Sequence, residues 1–330
     1  MRATELQKQS QGALTVILFL VALALALFPG PGRAAKIPVA ATIVPLGDFC
    51  RHLGGDLVEV QVLVPPGASP HVFEPPPSVM AGAFRARVFV YIGAGLEPWA
   101  AKIVASRESG KVAVVEAAQG IPLIKEVGGH GAGPPGGRPK GHEPDDGVEK
   151  APGAHEGHHH EAGNPHIWLD PVLAQDICGR IAAAFIQVDP EHRALYEARR
   201  QQFMTALAAL DQEIRQQVET WHLREFISFH PAFSYFARRY GLKEVGVLEL
   251  APGREATPRH LQEIVAAIRQ YGLRVVFAEP QLNPRVAQVV AQEAGVKLLM
   301  LDPIGGRPPY GDDYLKLMRA NLATMGEAMK

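Results

Sequence analysis

Three histidines of this 330-residue chain stand in settings from which their imidazoles can act together. His71 lies in SPHVFEP, His166 in NPHIWLDP and His230 in SFHPAFSYF, each next to a proline (Pro70, Pro165, Pro231) that stiffens the backbone carrying the ring. Neutral imidazole is a preferred ligand of borderline transition metals, zinc in particular. Two carboxylates have comparable surroundings. Asp302 in LMLDPIGG and Glu279 in VFAEPQ each follow an apolar run of strand length. Singly, each residue has a plainer reading: a histidine beside proline can be a helix cap, Asp302 a turn former, Glu279 a cap or a structural support. Jointly, three histidines at such boundaries point to a bound metal ion.

A second concentration of histidine needs a different account. Seven of the 13 histidines fall between His130 and His166, and six of these lie in residues 128–163, a stretch with eleven Gly, five Pro and no Leu, Ile or aromatic residue. Such a segment buries too little apolar surface to offset its ordering entropy, so a mobile, exposed insertion is expected. Within it His155, His158, His159 and His160 form an auxiliary, weak metal-binding group, because clustered imidazoles raise the local ligand concentration. His52, His192, His222 and His260 lie in polar helical contexts and read as surface residues.

The elements that must position these side chains are legible as alternation. Ile37 to Ile43, Val58 to Val64, Val88 to Ile92 and Val112 to Val115 read as strands, separated by helical stretches at Leu46 to Leu53, Ser78 to Ala83 and Leu96 to Ser106. After residue 222 the pattern restarts. Strands at Phe226 to Phe229, Val245 to Leu248, Val275 to Ala278 and Lys297 to Leu301 alternate with helices at Tyr235 to Tyr240, Pro258 to Tyr271 and Pro284 to Ala294. This predicts an α/β fold of two lobes with parallel sheets, and parallel sheets gather ligand-binding groups at the carboxyl ends of their strands. Between the lobes, Leu195, Phe203, Leu207, Leu210, Ile214, Val218 and Trp221 form one apolar stripe, the mark of a single long rigid helix over 189–221. The lobes are then residues 35–188, carrying the insertion 128–163, and residues 222–330.

Residues 1–34 read as a signal peptide. Ala13 to Phe28 is an apolar run of sixteen residues, spanning about 24 Å as a helix against a bilayer core of about 30 Å, and small residues follow it. No cysteine lies near the cleavage region, so an exported protein without a lipid anchor is expected. Cys50 and Cys178 are the only cysteines and leave a single disulfide open as a possibility. With 33 basic against 34 acidic residues, the chain lacks the strongly positive face that nucleic acid binding needs.

The motifs SPHVFEP, NPHIWLDP, SFHPAFSYFARRYGL and LDPIG resemble those of the zinc/manganese solute-binding proteins of ABC importers, the ZnuA and TroA type, over essentially the whole mature chain. The resemblance implies two α/β lobes joined by one rigid helix, with the metal in the cleft between them. It implies that His71, His166 and His230 hold the ion, with Asp302 as the fourth group and a water as the alternative to it. A histidine at position 230, where manganese-selective relatives often carry a carboxylate, favours Zn²⁺ over Mn²⁺. The expected protein is a periplasmic monomer, not an enzyme, that captures Zn²⁺ and delivers it to an inner-membrane ABC permease. Two alternatives are a periplasmic zinc buffer or metallochaperone and a secreted zinc hydrolase. The last is disfavoured because neither an HExxH helix nor a GxSxG elbow is present.

Overall fold

The computed structural model describes residues 35–106, 112–125, 163–249 and 256–330. The expected signal peptide and the tract with His155, His158, His159 and His160 lie outside the described residues.

Four short strands, β1 (Ile37–Ala41), β2 (Val58–Val62), β3 (Val88–Tyr91) and β4 (Ala113–Glu116), form one sheet in the order β2-β1-β3-β4. All three pairings are parallel, so each connection is a crossover through α1 (Val44–Gly54), α2 (Pro77–Arg85) or α3 (Ala100–Ala105). Val39, Ala41, Val88 and Val90 are buried, as central strands covered on both faces require. All eight strands expected from the Val/Ile runs are present, within a few residues of the expected limits.

The second half differs in one respect from a single sheet. β5 (Glu225–Ser228) pairs in parallel with β6 (Lys243–Val247), and β7 (Val275–Ala278) with β8 (Lys297–Met300), giving two separate two-stranded sheets. β5 and β7 nevertheless pack side by side, with Phe226 and Phe277 in edge contact at 6.4 Å. Around them lie α6 (Ser234–Tyr240), α7 (Pro258–Tyr271), α8 (Arg285–Ala294) and α9 (Tyr314–Met329).

One long helix links the halves. α4 (Pro171–Val188) packs along α5 (Arg193–Glu219), the expected long helix, whose 27 residues make about 40 Å of continuous rod after a single tight turn at Pro190–His192. Phe203, Leu207, Leu210, Ile214 and Val218 are buried on its stripe. Leu195 is not: it is 38% exposed, and Tyr196 next to it is buried instead, donating its hydroxyl to Asp189 at 2.7 Å. The polar handle of tyrosine suits the helix start, where Asp189 also accepts from His192, better than an aliphatic side chain would. α5 touches α1 on the first lobe and α9 on the second, so the rod is fused to both. Cys50 and Cys178 are free, buried thiols in the same core, and burial raises both thiol pKa values above the ordinary range.

Because Ile214 is fully buried on the rod, Ile214→Ala is expected to cost about 2–5 kcal/mol in urea unfolding. A loss below about 1 kcal/mol would show that the stripe is not packed into the core.

Candidate metal centre

Each histidine is placed by a different segment. His71 follows β2 on a proline-rich loop, His230 directly follows β5, and His166 precedes the short turn Ile167–Leu169 that leads into α4. The three loops converge at the carboxyl ends of the strands, the position a parallel sheet favours for ligands. The Nε2 atom of His166 lies 3.1 Å from Nε2 of His71 and 3.1 Å from Nε2 of His230, and one nitrogen from each ring lies within 4.8 Å of the others.

Hydrogen bonds at the far side of two rings decide where the protons are. His166 Nδ1 donates to Asn164 Oδ1 at 2.9 Å, and that amide cannot be turned round, because its Nδ2 donates to the Pro231 carbonyl at 2.6 Å. His230 Nδ1 donates to Glu279 Oε1 at 2.6 Å. With the single proton of each neutral ring on Nδ1, both Nε2 atoms present lone pairs, and these face one another at contact distance. A shared cation turns this repulsion into attraction. Tetrahedral zinc with bonds of about 2.0–2.1 Å needs nitrogens about 3.3 Å apart, within a few tenths of the two 3.1 Å separations that His166 makes.

The electrostatics agree. Burial, then the neighbouring His230, lowers the His71 pKa to about 3, and burial, then His230 and His71, hold His166 well below its ordinary value. His166 and His230 are only 2% and 4% exposed, whereas His71 is partly open. The cavity at which the rings meet is about 10 Å³, room for one ion or water and not for an organic substrate.

The NPHIWLDP segment does more than supply His166. Asn164 reaches Pro231, its carbonyl accepts from Tyr235 Oη at 2.7 Å, and Trp168 Nε1 donates to the Pro303 carbonyl at 2.7 Å. The Trp168 carbonyl accepts from Tyr314 Oη at 2.6 Å. Asp170 caps α4 by accepting from Val172 N at 2.9 Å and pairs with Arg239. Alternate polar positions of the motif therefore bind the second lobe, and His166 is clamped between its anchors.

Of the four residues expected at the metal, the structure brings together three. Asp302 does not join them among the described residues. Its Oδ1 accepts from Gln281 Nε2 at 2.7 Å and from the Ile304 and Gly305 amides at 2.9 Å each, and its Oδ2 accepts from Tyr310 Oη at 2.5 Å, so donors occupy both oxygens. Glu279, read from sequence as a support, occupies that role by orienting His230. Gln281 lines the cavity and was not singled out from sequence; its only signal was the proximity to Glu279 in AEPQ. His52, His192, His222 and His260 are not part of the group. Instead, His52 stacks on Phe203 at 4.1 Å and His260 bonds the Val247 carbonyl.

Residues 39–328 match the family model described as ZnuA, zinc-uptake complex component A, periplasmic. The high-affinity zinc uptake system protein ZnuA of Bacillus subtilis (strain 168) is 28% identical over 301 residues, covering 90% of this chain and 89% of that protein. The zinc-binding lipoprotein AdcA of Streptococcus pneumoniae is 27% identical over 88% of this chain, which spans only 55% of its length. A solved structure of a ZnuA deletion mutant with zinc bound superposes with a TM-score of 0.73 at 29% identity, covering 89% of this chain and 98% of that one.

The depressed histidine pKa values make the ion-free protein pH-sensitive. Between the unfolded value of about 6.5 and the folded His71 value of about 3, the unfolded chain binds more protons. Stability is therefore full above that window and falls with decreasing pH, by about 1.4 kcal/mol per unit for each such histidine. The melting temperature of the zinc-free protein should drop between pH 7 and 5 by scanning calorimetry; a flat profile would contradict neutral buried rings. Asn164→Ala should weaken zinc binding by about 10- to 100-fold in competition titrations, through loss of the ring's anchor.

Proposed function

The chain belongs to the ZnuA family of periplasmic zinc-uptake components, and from that premise we propose how its own residues take up the ion. It is an extracytoplasmic solute-binding protein of a zinc ABC importer, and the family is one of transport proteins, so the hydrolase alternative falls. The ligands are His71, His166 and His230, a reading carried by the convergence of three imidazoles, two with the proton fixed on the outer nitrogen. Three nitrogens suit tetrahedral Zn²⁺ better than Mn²⁺, which prefers oxygen. Asp302, its oxygens already bonded, is read as acting behind the ligands.

The rest of the reading follows from the same site. His166 and His230 are buried, so delivery of an ion they hold needs a partner that opens the site, and a membrane permease is the partner of an importer. We take the protein to work as a monomer of two lobes, 35–188 and 222–330, on the strut 189–221. Export without a lipid anchor is supported by Cys50 and Cys178, the only cysteines, both being buried in the fold.

Zinc titration of the mature protein against a competing chelator tests this. Deleting residues 128–163 should leave one tight site, and His71→Ala, His166→Ala or His230→Ala should each weaken it by about 100-fold or more, with Mn²⁺ a poor competitor throughout. Tight binding unchanged in the alanine variants would sink the assignment, and tight binding lost on deletion of the tract would favour the buffer.

A further inference from the structure

Asn164, two residues before His166, uses its backbone as fully as its side chain. Its N–H donates to the Ile124 carbonyl at 2.7 Å, the Ile124 N–H donates to Tyr235 Oη at 3.0 Å, and the Tyr235 hydroxyl donates to the Asn164 carbonyl at 2.7 Å. Each group gives a proton to the next in one direction round a closed ring, an arrangement in which every bond polarises its neighbour. Two residues far apart in the sequence are thereby drawn together, so closely that a Cβ on Gly163 would lie 2.5 Å from that of Leu123 and 2.8 Å from the Ile124 carbonyl oxygen.

Tyr235 belongs to the other side of the site. It sits on α6, soon after His230, is fully buried, and has the Arg238 guanidinium 5.1 Å from the centre of its ring. The closed ring of bonds therefore ties the segment that carries His166 to the segment that carries His230, alongside the bond from Asn164 Nδ2 to the Pro231 carbonyl. The Nε2 atoms of those two histidines lie 3.1 Å apart, a spacing suited to the short bonds of zinc. A larger ion of the same charge, such as Cd²⁺, needs its nitrogens further apart and can have them only if the two segments separate.

We propose that the Tyr235 hydroxyl determines metal specificity: by pinning Asn164 to α6 it holds His166 at zinc spacing from His230 and so disfavours larger ions. The inference rests on the three-histidine reading of the site. Tyr235 does not line the cavity, so it is a positioning residue that acts through Asn164. Without the hydroxyl, the Ile124 amide and the Asn164 carbonyl lose their common partner, and the gap between the two imidazoles is free to widen.

The test titrates Zn²⁺ and Cd²⁺ against one competing chelator in the mature protein and in Tyr235→Phe, Asn164→Ala, the double variant and His166→Ala, with melting curves of the ion-free variants to show that each is folded. Tyr235→Phe is expected to weaken Zn²⁺ binding about tenfold and to leave Cd²⁺ within about twofold, so that the preference for Zn²⁺ falls. In the Asn164→Ala background the same substitution should lower that preference no further. If Tyr235→Phe does not fold, Ile124→Pro takes its place, because it removes the amide donor from the ring of bonds and keeps the hydroxyl. An equal loss for both ions would reduce the hydroxyl to a packing group and overturn the proposal, and so would a further fall in preference in the double variant. Either ion held tightly by His166→Ala would overturn the histidine reading itself, a failure distinguishable from that of the pin.

Discussion

Two imidazole nitrogens are held 3.1 Å apart, and when both rings are neutral their lone pairs repel each other; much of this fold serves to keep them there. The carboxylate of Glu279 and the amide of Asn164 each claim the one proton a neutral ring owns, which leaves the inner nitrogens bare. Such an arrangement is unfavourable until a cation arrives, and the cation then gains all that the protein has withheld. For the strain to persist, the surroundings must be stiffer than the repulsion. They are: Asn164, Trp168 and Asp170 are each bonded into the second lobe, and the 27-residue rod of α5 packs against helices of both.

The close approach of the lobes extends to the far rim of the site. Gly67 and Gly306, both at positive φ, meet side chains from the opposite lobe, and a Cβ on Gly67 would collide with the guanidinium of Arg307. Asp302, through Tyr310 and the Ile304 and Gly305 amides, shapes the loop that carries Arg307. The residue that resemblance marked as a ligand therefore holds the wall of the cavity.

How much of this was legible depended on how local the signal was. The strands announce themselves in Val/Ile runs of the right length, and the rod in its apolar period, apart from Leu195, where a one-residue shift to Tyr196 turns on a hydrogen bond to Asp189. The helix Tyr314–Met329 is not among those the sequence pattern marks. The split of the second lobe into two strand pairs was invisible, because pairing is decided by residues far apart in the chain. At the site, three histidines with flanking prolines could be picked out. The fate of Asp302 could not, since its donors Gln281 and Tyr310 reach it only once the loop is folded, and a lone glutamine carries no signature.

The three rings are not equivalent. His166 and His230 are buried and tied at Nδ1, whereas no hydrogen bond among the described residues holds His71 Nδ1, and its neighbour Val72 is 63% exposed. Two donors thus form a preassembled chelate while the third rides on a loop. For the proposed three-histidine site this asymmetry implies an order, in which the fixed pair would catch the incoming ion and His71 would close on it last and release it first. The residence time of the ion would then be set by the motion of a few loop residues, and a partner would shorten it by pulling on that loop without bending the rod.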